Sequence, residues 1–190
     1  MPPTLVGDEC RPSITSLRAV VYITIMRKAY RYRLYPSKSQ VTLLEQTLEI
    51  CRWVYNDTLA LRKTAWEQEQ HSISLYETNK ILTQWKKERP DLNRVHSQVL
   101  QNVQVRVDLA FKSYFRRVKA GKEPGYPRFK GKGRYDSFTY PQSGFKLDGD
   151  RLHLSKIGDV KIILHRPIEG TIQDLHGHAF FDREVVCLLL

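Results

Sequence analysis

The hydrophobic and polar positions alternate near the start of the chain, at residues 26–36. The two faces of this stretch are Tyr30, Tyr32 and Leu34 on one side and Arg31 and Arg33 on the other. A period of two in an aromatic-rich segment is typical of a half-buried β-strand. Pro36 ends the predicted strand because its ring removes a backbone donor.

Helical spacing follows, and two capping boxes mark where helices begin. Ser37 with Gln40 and Ser74 with Glu77 each place a hydroxyl three residues before a Gln or Glu side chain, which is the signature of a helix N-terminus. The apolar stripe of the first helix is Val41, Leu44, Leu48, Cys51, Tyr55 and Leu59. The second helix carries Leu75, Ile81, Leu82 and Trp85, and it should end before Pro90.

A third helix competes with a strand, because Val103, Val105, Val107 and Leu109 alternate. Helical spacing nevertheless persists over roughly five turns. The positions that keep it are Val99, Val103, Val107, Ala110, Phe111, Tyr114 and Val118. Gly121 suits the end of such a helix, so we predict a helix here.

After Gly125 the pattern returns to short apolar runs separated by turns, which predict strands. These runs cover residues 137–140, 145–147, 151–154 and 160–165. Leu147-Asp148-Gly149-Asp150 joins two of them and is a hairpin signal of the Asp-Gly kind. The pattern predicts an α+β fold with one strand, about three helices and then several strands.

Composition adds an excess of positive charge to this picture. The chain has 190 residues, with 31 Lys and Arg against 20 Asp and Glu, and a formal net charge of +11. Such a balance indicates a polyanionic partner. Much of the excess lies where one acid, Glu123, stands among Lys112, Arg116, Arg117, Lys119, Lys122, Arg128, Lys130, Lys132 and Arg134.

The stretch 125–140 interleaves these cations with aromatic residues. Its cations are Arg128, Lys130, Lys132 and Arg134, and its aromatic residues are Tyr126, Phe129, Tyr135, Phe138 and Tyr140. Cations neutralise phosphates and release counterions, and aromatic faces stack on unpaired bases. A solvated basic loop is the alternative interpretation, but the interleaving favours nucleic-acid binding. Arg31 and Arg33 of the first strand are predicted to bind nucleic acid as well.

Other chemistry is poorly supported by the sequence. Cys10, Cys51 and Cys187 lack C-x-x-C spacing, which argues against a disulfide framework or a zinc site and makes the cytoplasm the default location. Asp174, His176, His178 and Asp182 lie in no helix that would place them together as a metal site. Trp53, Tyr55, Trp66 and Trp85 are assigned to packing. No nucleophile, base and orienting group stand at catalytic spacing, so we expect neither catalysis nor a cofactor.

Residues 1–25 differ in pattern from the rest of the chain, because several prolines and a glycine interrupt them. The apolar run from Ala19 to Met26 is too short to cross a membrane, and no basic region or small-residue cleavage site accompanies it. We expect no export and no membrane partner. Since the better-patterned sequence begins at Met26, residues 1–25 are predicted to be a leader upstream of the true start.

Several short motifs, taken in order, give the chain a family resemblance. They are Tyr32-Arg33-Leu34-Tyr35-Pro36, Arg52-Trp53-Val54-Tyr55-Asn56, Gln98-Val99-Leu100-Gln101, Ala110-Phe111-Lys112-Ser113-Tyr114-Phe115-Arg116, Gly125-Tyr126-Pro127-Arg128-Phe129-Lys130 and Leu154-Ser155-Lys156-Ile157-Gly158. Across roughly residues 26–172 the chain resembles the N-terminal half of TnpB, an OrfB-type transposase. Proteins of this family are transposon-encoded RNA-guided DNA nucleases related to type V CRISPR effectors.

The resemblance implies a small wedge β-barrel interrupted by an inserted helical, helix-turn-helix-like recognition domain. The barrel would comprise residues 26–36 and 125–172, and the recognition domain residues 37–124. Residues 173–190 depart from the family pattern and form a divergent tail. The family's RuvC-like catalytic domain and zinc ribbon do not follow before Leu190, as in a truncated gene. A split nuclease completed by a separate RuvC-like chain, or a non-functional remnant of a decayed gene, are the alternatives.

The function implied is a nucleic-acid-binding fragment that contacts guide-like RNA and the duplex DNA beside a target, without its own nuclease centre. In the family, polar residues of the helical domain and of the strand after the basic loop read that duplex. The matching positions here are Tyr76, Ser97, Gln98, Gln101 and Thr139. Gln can bond adenine in the major groove. Alternatively, Ser97 caps the third helix and Gln101 lies on its wet face.

Overall fold

The computed structural model describes residues 28–169, 171–179 and 185–189. For residues 178–179 and 185–189 it describes the main chain. The strands are β1 Tyr30–Tyr35, β2 Ser137–Pro141, β3 Phe145–Asp148, β4 Arg151–Leu154, β5 Gly158–Ile163, β6 Asp174–Ala179 and β7 Val185–Leu189. The helices are α1 Lys38–Glu69, α2 Leu75–Glu88 and α3 Ser97–Lys119, with a short 3-10 helix Pro90–Arg94 before α3. The α+β class is confirmed, whereas the predicted leader lies outside the described residues.

Local sequence signals set the helix boundaries. Both predicted capping boxes form: the Ser37 and Ser74 hydroxyls accept from the backbone N–H three residues on, and Gln40 and Glu77 accept in return. The third predicted helix is confirmed as α3, and Gly121 just beyond it has φ +63°, a conformation that suits glycine. The proposed cap at Ser97 is wrong, because His96 holds the N-cap position and its side chain makes no capping hydrogen bond.

The three helices form a layer with a continuous apolar core. The fully buried side chains at its centre include Cys51, Val54, Leu59, Leu92, Val99, Leu100 and Val107. Trp53 and Trp85 join α1 to α2 edge to face, with ring centroids 5.4 Å apart, and the Arg89 guanidinium lies 4.0 Å from the Trp53 ring centre. The predicted packing roles of Cys51, Trp53, Tyr55 and Trp85 therefore hold.

The strands form one antiparallel sheet in the order β2-β6-β7-β1-β5-β4-β3. β1 buries alternate residues as predicted, and β3 and β4 form the predicted hairpin, with Asp148 opposite Arg151. The helical layer is inserted in the chain between β1 and β2. The closed barrel implied by the resemblance is not confirmed, because among the described strands β2 and β3 are the two ends of an open sheet.

Residues 173–190, which the sequence analysis leaves outside the sheet as a divergent tail, supply two of its strands. β7 pairs with β1, and β6 connects β7 to β2. Leu175 of β6 is buried. Gly177 lies opposite Phe138 of β2, and a Cβ at this glycine would lie 2.8 Å from the Phe138 ring, so the ring packs where a side chain would otherwise stand.

Candidate nucleic-acid interface

The segment that joins α3 to β2, residues 120–136, has no regular secondary structure and is attached to α1 near its middle. The Asn56 amide donates to the Lys130 carbonyl at 2.9 Å and accepts from the Lys130 N–H at 2.8 Å. Arg52 Nη1 donates to the same carbonyl at 3.3 Å. One side-chain amide therefore satisfies both polar groups of a loop residue. This contact fixes the basic loop against the helical layer.

The fixed loop presents its cations to solvent. Arg128, Lys130, Lys132 and Arg134 are exposed, as is Phe129. Glu49 of α1 forms an ion pair with Arg52. The hydrogen bond from Arg52 lowers the pKa of Glu49 against the opposing effect of burial, and the charges of Arg52 and Lys132 lower it further. The loop is thus a cationic surface that rests on a charged helix.

Three of the five aromatic residues predicted to stack on bases are instead in the core. Tyr135, Phe138 and Tyr140 are buried. The Tyr140 hydroxyl donates to the Ser155 carbonyl at 2.8 Å, and burial raises the pKa of Tyr140 and of Tyr135. This part of the prediction is wrong because the strand β2 and the turn before it pack on the helices. Tyr126 and Phe129 remain exposed.

The second half of α3 extends the cationic surface. Lys112, Arg116, Arg117 and Lys119 have exposed side chains. Lys112 lies 2.8 Å from the buried carboxylate of Asp108, which also accepts from Arg62 at 3.1 Å. Burial tends to raise the pKa of Asp108, but the hydrogen bonds and charges of Lys112 and Arg62 outweigh it, and the net pKa is lowered. Asp108 thereby holds Lys112 in place at one end of these α3 cations.

Arg31 and Arg33, also predicted to bind nucleic acid, have exposed side chains on the outer face of β1. They lie on the sheet, whereas the loop and α3 cations lie on or beside the helical layer. The inner face of the same strand is buried through Tyr30, Tyr32 and Leu34. The structure thus confirms the predicted faces of the strand and leaves the binding role of the two arginines as a prediction.

The predicted duplex-reading residues lie in three different environments. Ser97 accepts from Lys86 Nζ at 2.8 Å, and the Gln98 side chain accepts from the Ser143 hydroxyl at 2.8 Å. Gln101 is exposed on α3. Tyr76 is 68% exposed on α2, with Lys80 Nζ 4.5 Å from its ring centre. Ser97 is exposed as well, but its hydroxyl is engaged by Lys86, so Gln101 and Tyr76 are the exposed members of this set for which no such hydrogen bond is described.

Thr139 is only 3% exposed, and its hydroxyl is already bonded. Arg106 Nη2 donates to it at 2.8 Å, and His176 Nδ1 lies at the same distance. This environment corrects the sequence-based role, because a buried, fully engaged hydroxyl has no free group for a base edge. Thr139 instead connects α3, β2 and β6.

Two residues that build this region were missed by sequence reasoning. Arg106 docks α3 on β2 through the Ser137 carbonyl at 2.7 Å in addition to Thr139. It stands among valines in the helix, and nothing in that pattern separates it from the other basic residues. Asn56 is part of the motif Arg52-Trp53-Val54-Tyr55-Asn56, so its place in that motif was the available signal.

Neither a metal-ligand cluster nor a membrane-spanning helix occurs in the described part of the chain. No group of three or more His, Cys, Asp or Glu among those residues is placed to hold a metal ion. Of the helices within residues 28–169, none is long and apolar enough to cross a membrane.

Comparison with known families identifies the class of protein. A family model described as a helix-turn-helix domain, that of the OrfB proteins, matches residues 26–71, which contain β1 and α1. Together with the packed helices, this match defines a nucleic-acid-binding domain of the helix-turn-helix class. The match covers the part of α1 that holds the basic loop.

Two relatives are similar over most of the chain. A predicted RNA-guided DNA endonuclease of Streptomyces pristinaespiralis is 33% identical over 137 residues, which cover 70% of this chain and 33% of that protein. The predicted RNA-guided DNA endonuclease InsQ of Escherichia coli K12 is 30% identical over 152 residues, which cover 78% of this chain and 36% of InsQ. The chain spans about a third of the length of these curated relatives. It belongs to the TnpB family of OrfB-type transposases, whose N-terminal part it matches.

Proposed function

We propose that this chain binds guide-like RNA and the duplex DNA beside a target sequence, through a surface made by the basic loop and the second half of α3. The observation that carries the proposal is the exposed loop around Lys130, held on α1 by Asn56 and Arg52. A loop fixed before binding loses less conformational freedom when it meets a phosphate backbone. Its cations are the chemistry that such a backbone requires.

The exposed residues beside this surface supply the finer part of the proposal. Gln101 and Tyr76 are accessible for contacts to base edges, and Gln98 would have to exchange its hydrogen bond with Ser143. Cations that neutralise phosphates give affinity without sequence information, whereas amide side chains in a groove give discrimination. We therefore assign positioning to the loop and to α3, and sequence readout to the Gln side chains and Tyr76.

Binding alone is the activity that we assign to this chain. The endonuclease names belong to relatives of which the match covers only about a third, and their cleavage chemistry is not carried over. In the proposed arrangement the seven-stranded sheet takes the place of the family's wedge barrel, and the helical layer that of its recognition domain. We also propose that the chain acts in the cytoplasm and needs no cofactor.

The test replaces Arg128, Lys130, Lys132 and Arg134 together by Gln and measures affinity for a structured RNA and for duplex DNA across a salt series. The slope of log affinity against log salt should flatten by roughly 0.9 for each phosphate that is no longer neutralised. The matched control replaces Lys146, Arg151, Lys156 and Lys161 by Gln, which removes the same charge from exposed positions in β3–β5. Equal slopes for both variants would mean that the loop is only a solvated face and not a binding surface.

Selection from a randomised duplex library, with the parent and with Gln101→Ala, measures sequence readout in the same preparation.

A further inference from the structure

A cleft of about 310 Å³ opens between the end of α1 and the start of the basic loop. Its lining is formed by Lys63, Trp66, Glu67 and Tyr126. The volume is at the lower end of the range of ligand sites, roughly 300–1,000 Å³, so the cleft suits one planar group better than a large ligand. The sequence assigns Trp66 to packing, yet 53% of its surface is exposed.

One of the two aromatic rings of the cleft, that of Tyr126, is supported from behind. Tyr126 contacts Phe111 edge to face at 5.7 Å and Tyr114 at 5.4 Å. These contacts hold the ring from the α3 side, while 43% of the residue stays exposed. Trp66 stands in the last turn of α1, where its carbonyl accepts from both the backbone and the side chain of Gln70. The Tyr126 ring is therefore held against α3, and Trp66 stands on the last turn of a regular helix.

The charges in the cleft favour a base over a phosphate. Lys63 and Glu67 face each other across one helical turn, with Nζ and Oε1 3.7 Å apart. Their charges offset, so the cleft has a carboxylate that repels phosphate and no net cation to attract it. The exposed cations nearest in sequence to the aromatic residues that support Tyr126 are Arg116 and Arg117, on the same helix α3. A strand that follows those cations can turn one base inward.

We propose that this cleft stacks one unpaired base of a single-stranded RNA or DNA segment, with Trp66 and Tyr126 as the contacting rings. The inference rests on the proposed function, because the same strand must lie on the cationic surface. Every base has a π-face, so the site selects single strands over duplexes without selecting a particular base. Duplex bases are already stacked, and they do not enter.

The experiment compares Trp66→Ala, Trp66→Phe and the parent for binding to a single-stranded RNA, the DNA of the same sequence and the corresponding duplex. Trp66→Ala should bind the single strands roughly 5- to 100-fold more weakly and the duplex with unchanged affinity. Trp66→Phe retains a ring and should recover most of the loss. Tyr35→Ala, which removes an exposed tyrosine from β1, is the matched control and should bind as the parent does. Circular dichroism checks that each variant is folded.

The outcomes separate this inference from the proposed function. If Trp66→Ala binds single strands like the parent while the fourfold loop variant binds them weakly, the cleft is not a base site and the loop proposal stands. A parallel loss of duplex affinity in Trp66→Ala also overturns the inference, because stacking of an unpaired base predicts no such loss. Unchanged binding by the fourfold variant instead contradicts the proposed function. A loss with RNA alone, or with both single strands, identifies which strand supplies the base.

Discussion

Asn56 determines the position of the basic loop through the backbone N–H and carbonyl of a single residue, Lys130. Its amide donates to and accepts from Lys130, and Arg52, one turn earlier, adds a third hydrogen bond. The residues between them in the motif have other tasks, since Val54 and Tyr55 are core residues and Trp53 packs on Trp85. One short helical segment therefore contributes to both the core and the interface.

Asn56→Ala should weaken both the fold and nucleic-acid binding. Loss of two hydrogen bonds in a partly exposed site should lower the free energy of unfolding by about 1–2 kcal/mol. Affinity should fall roughly 3- to 10-fold because the loop must be ordered on binding, while the salt dependence stays the same because every cation remains. Denaturant unfolding and a salt series measure the two effects.

Asn56→Asp is the matched control for this change. Its carboxylate still accepts from the Lys130 N–H but no longer donates to the Lys130 carbonyl, so affinity should lie between those of the parent and Asn56→Ala. Parental affinity in Asn56→Ala would mean that the loop is ordered by other contacts.

At the residue scale, the sequence predicts which side chains have the right chemistry but not which of them face solvent. Tyr126 and Tyr135 stand in the same basic, glycine-containing stretch. Tyr135 is buried against Tyr55 of α1, with ring centroids 5.9 Å apart, whereas Tyr126 lies at the open side of α3. Only the tertiary placement of α1 and α3 separates these two tyrosines, and no local pattern encodes it.

Elements α1 and α3 are joined by a buried ion pair as well as by apolar packing. Asp108 of α3 accepts from Arg62 of α1, and Arg62 also lies over the Phe111 ring at 4.5 Å. Lys112, one turn along α3, is a second cation on the same carboxylate. Since Phe111 in turn supports Tyr126, this link connects helix packing to the loop.

The link should make stability depend on pH in the acidic range. The pKa of Asp108 in the folded chain lies below its ordinary value of 3.8, so the unfolded chain takes up its proton first as pH falls. The contribution of Asp108 is therefore fully present well above pH 3.8 and is lost as pH falls through the folded pKa. Asp108→Asn should lower the free energy of unfolding at pH 7 by about 1–3 kcal/mol, less than a fully buried pair.

Urea unfolding of the parent and of Asp108→Asn between pH 7 and pH 3 measures this effect. The difference between the two should shrink toward the acidic end. Asp159→Asn is a suitable control because that carboxylate is exposed and pairs with His153 on the sheet. A constant difference at every pH would show that the Asp108→Asn substitution destabilises the fold through packing and not through charge.

At the element scale, local signals and non-local contacts account for the successes and failures of the sequence analysis. The capping boxes at Ser37 and Ser74 are complete within four residues, so the sequence predicts the start of α1 and of α2. β6 follows no such rule. One of its two partners, β2, lies more than thirty residues away, and its sequence Asp-Leu-His-Gly-His-Ala has a glycine where Phe138 packs. A glycine in a short polar run indicates a loop until the partner strand is known.

Contacts between distant parts of the chain hold the whole molecule together. β1, near the start of the described residues, lies between β5 and β7, and β2 reaches β1 only through β6 and β7. The Arg106, Thr139 and His176 contacts then tie the β2–β6 pair to α3. The helical layer and the sheet are thereby joined at β2, immediately after the basic loop.

Deletion of residues 173–190 tests whether these strands are part of the fold or a dispensable tail. The shortened chain loses β6 and β7, which exposes one backbone edge of β1, uncovers Phe138 and removes one of the two partners of Thr139. The free energy of unfolding should fall by at least about 3 kcal/mol, since burial of Leu175 alone contributes about 1.5–3 kcal/mol and two hydrogen-bonded ladders are lost with it. Thermal melting followed by circular dichroism measures the change.

Deletion of residues 1–25 is the matched control, because it removes none of the described strands, and its melting temperature should equal that of the parent. If the chain without residues 173–190 melts at the same temperature as the parent, this segment is dispensable for the fold, as expected of the divergent tail that the family pattern predicts.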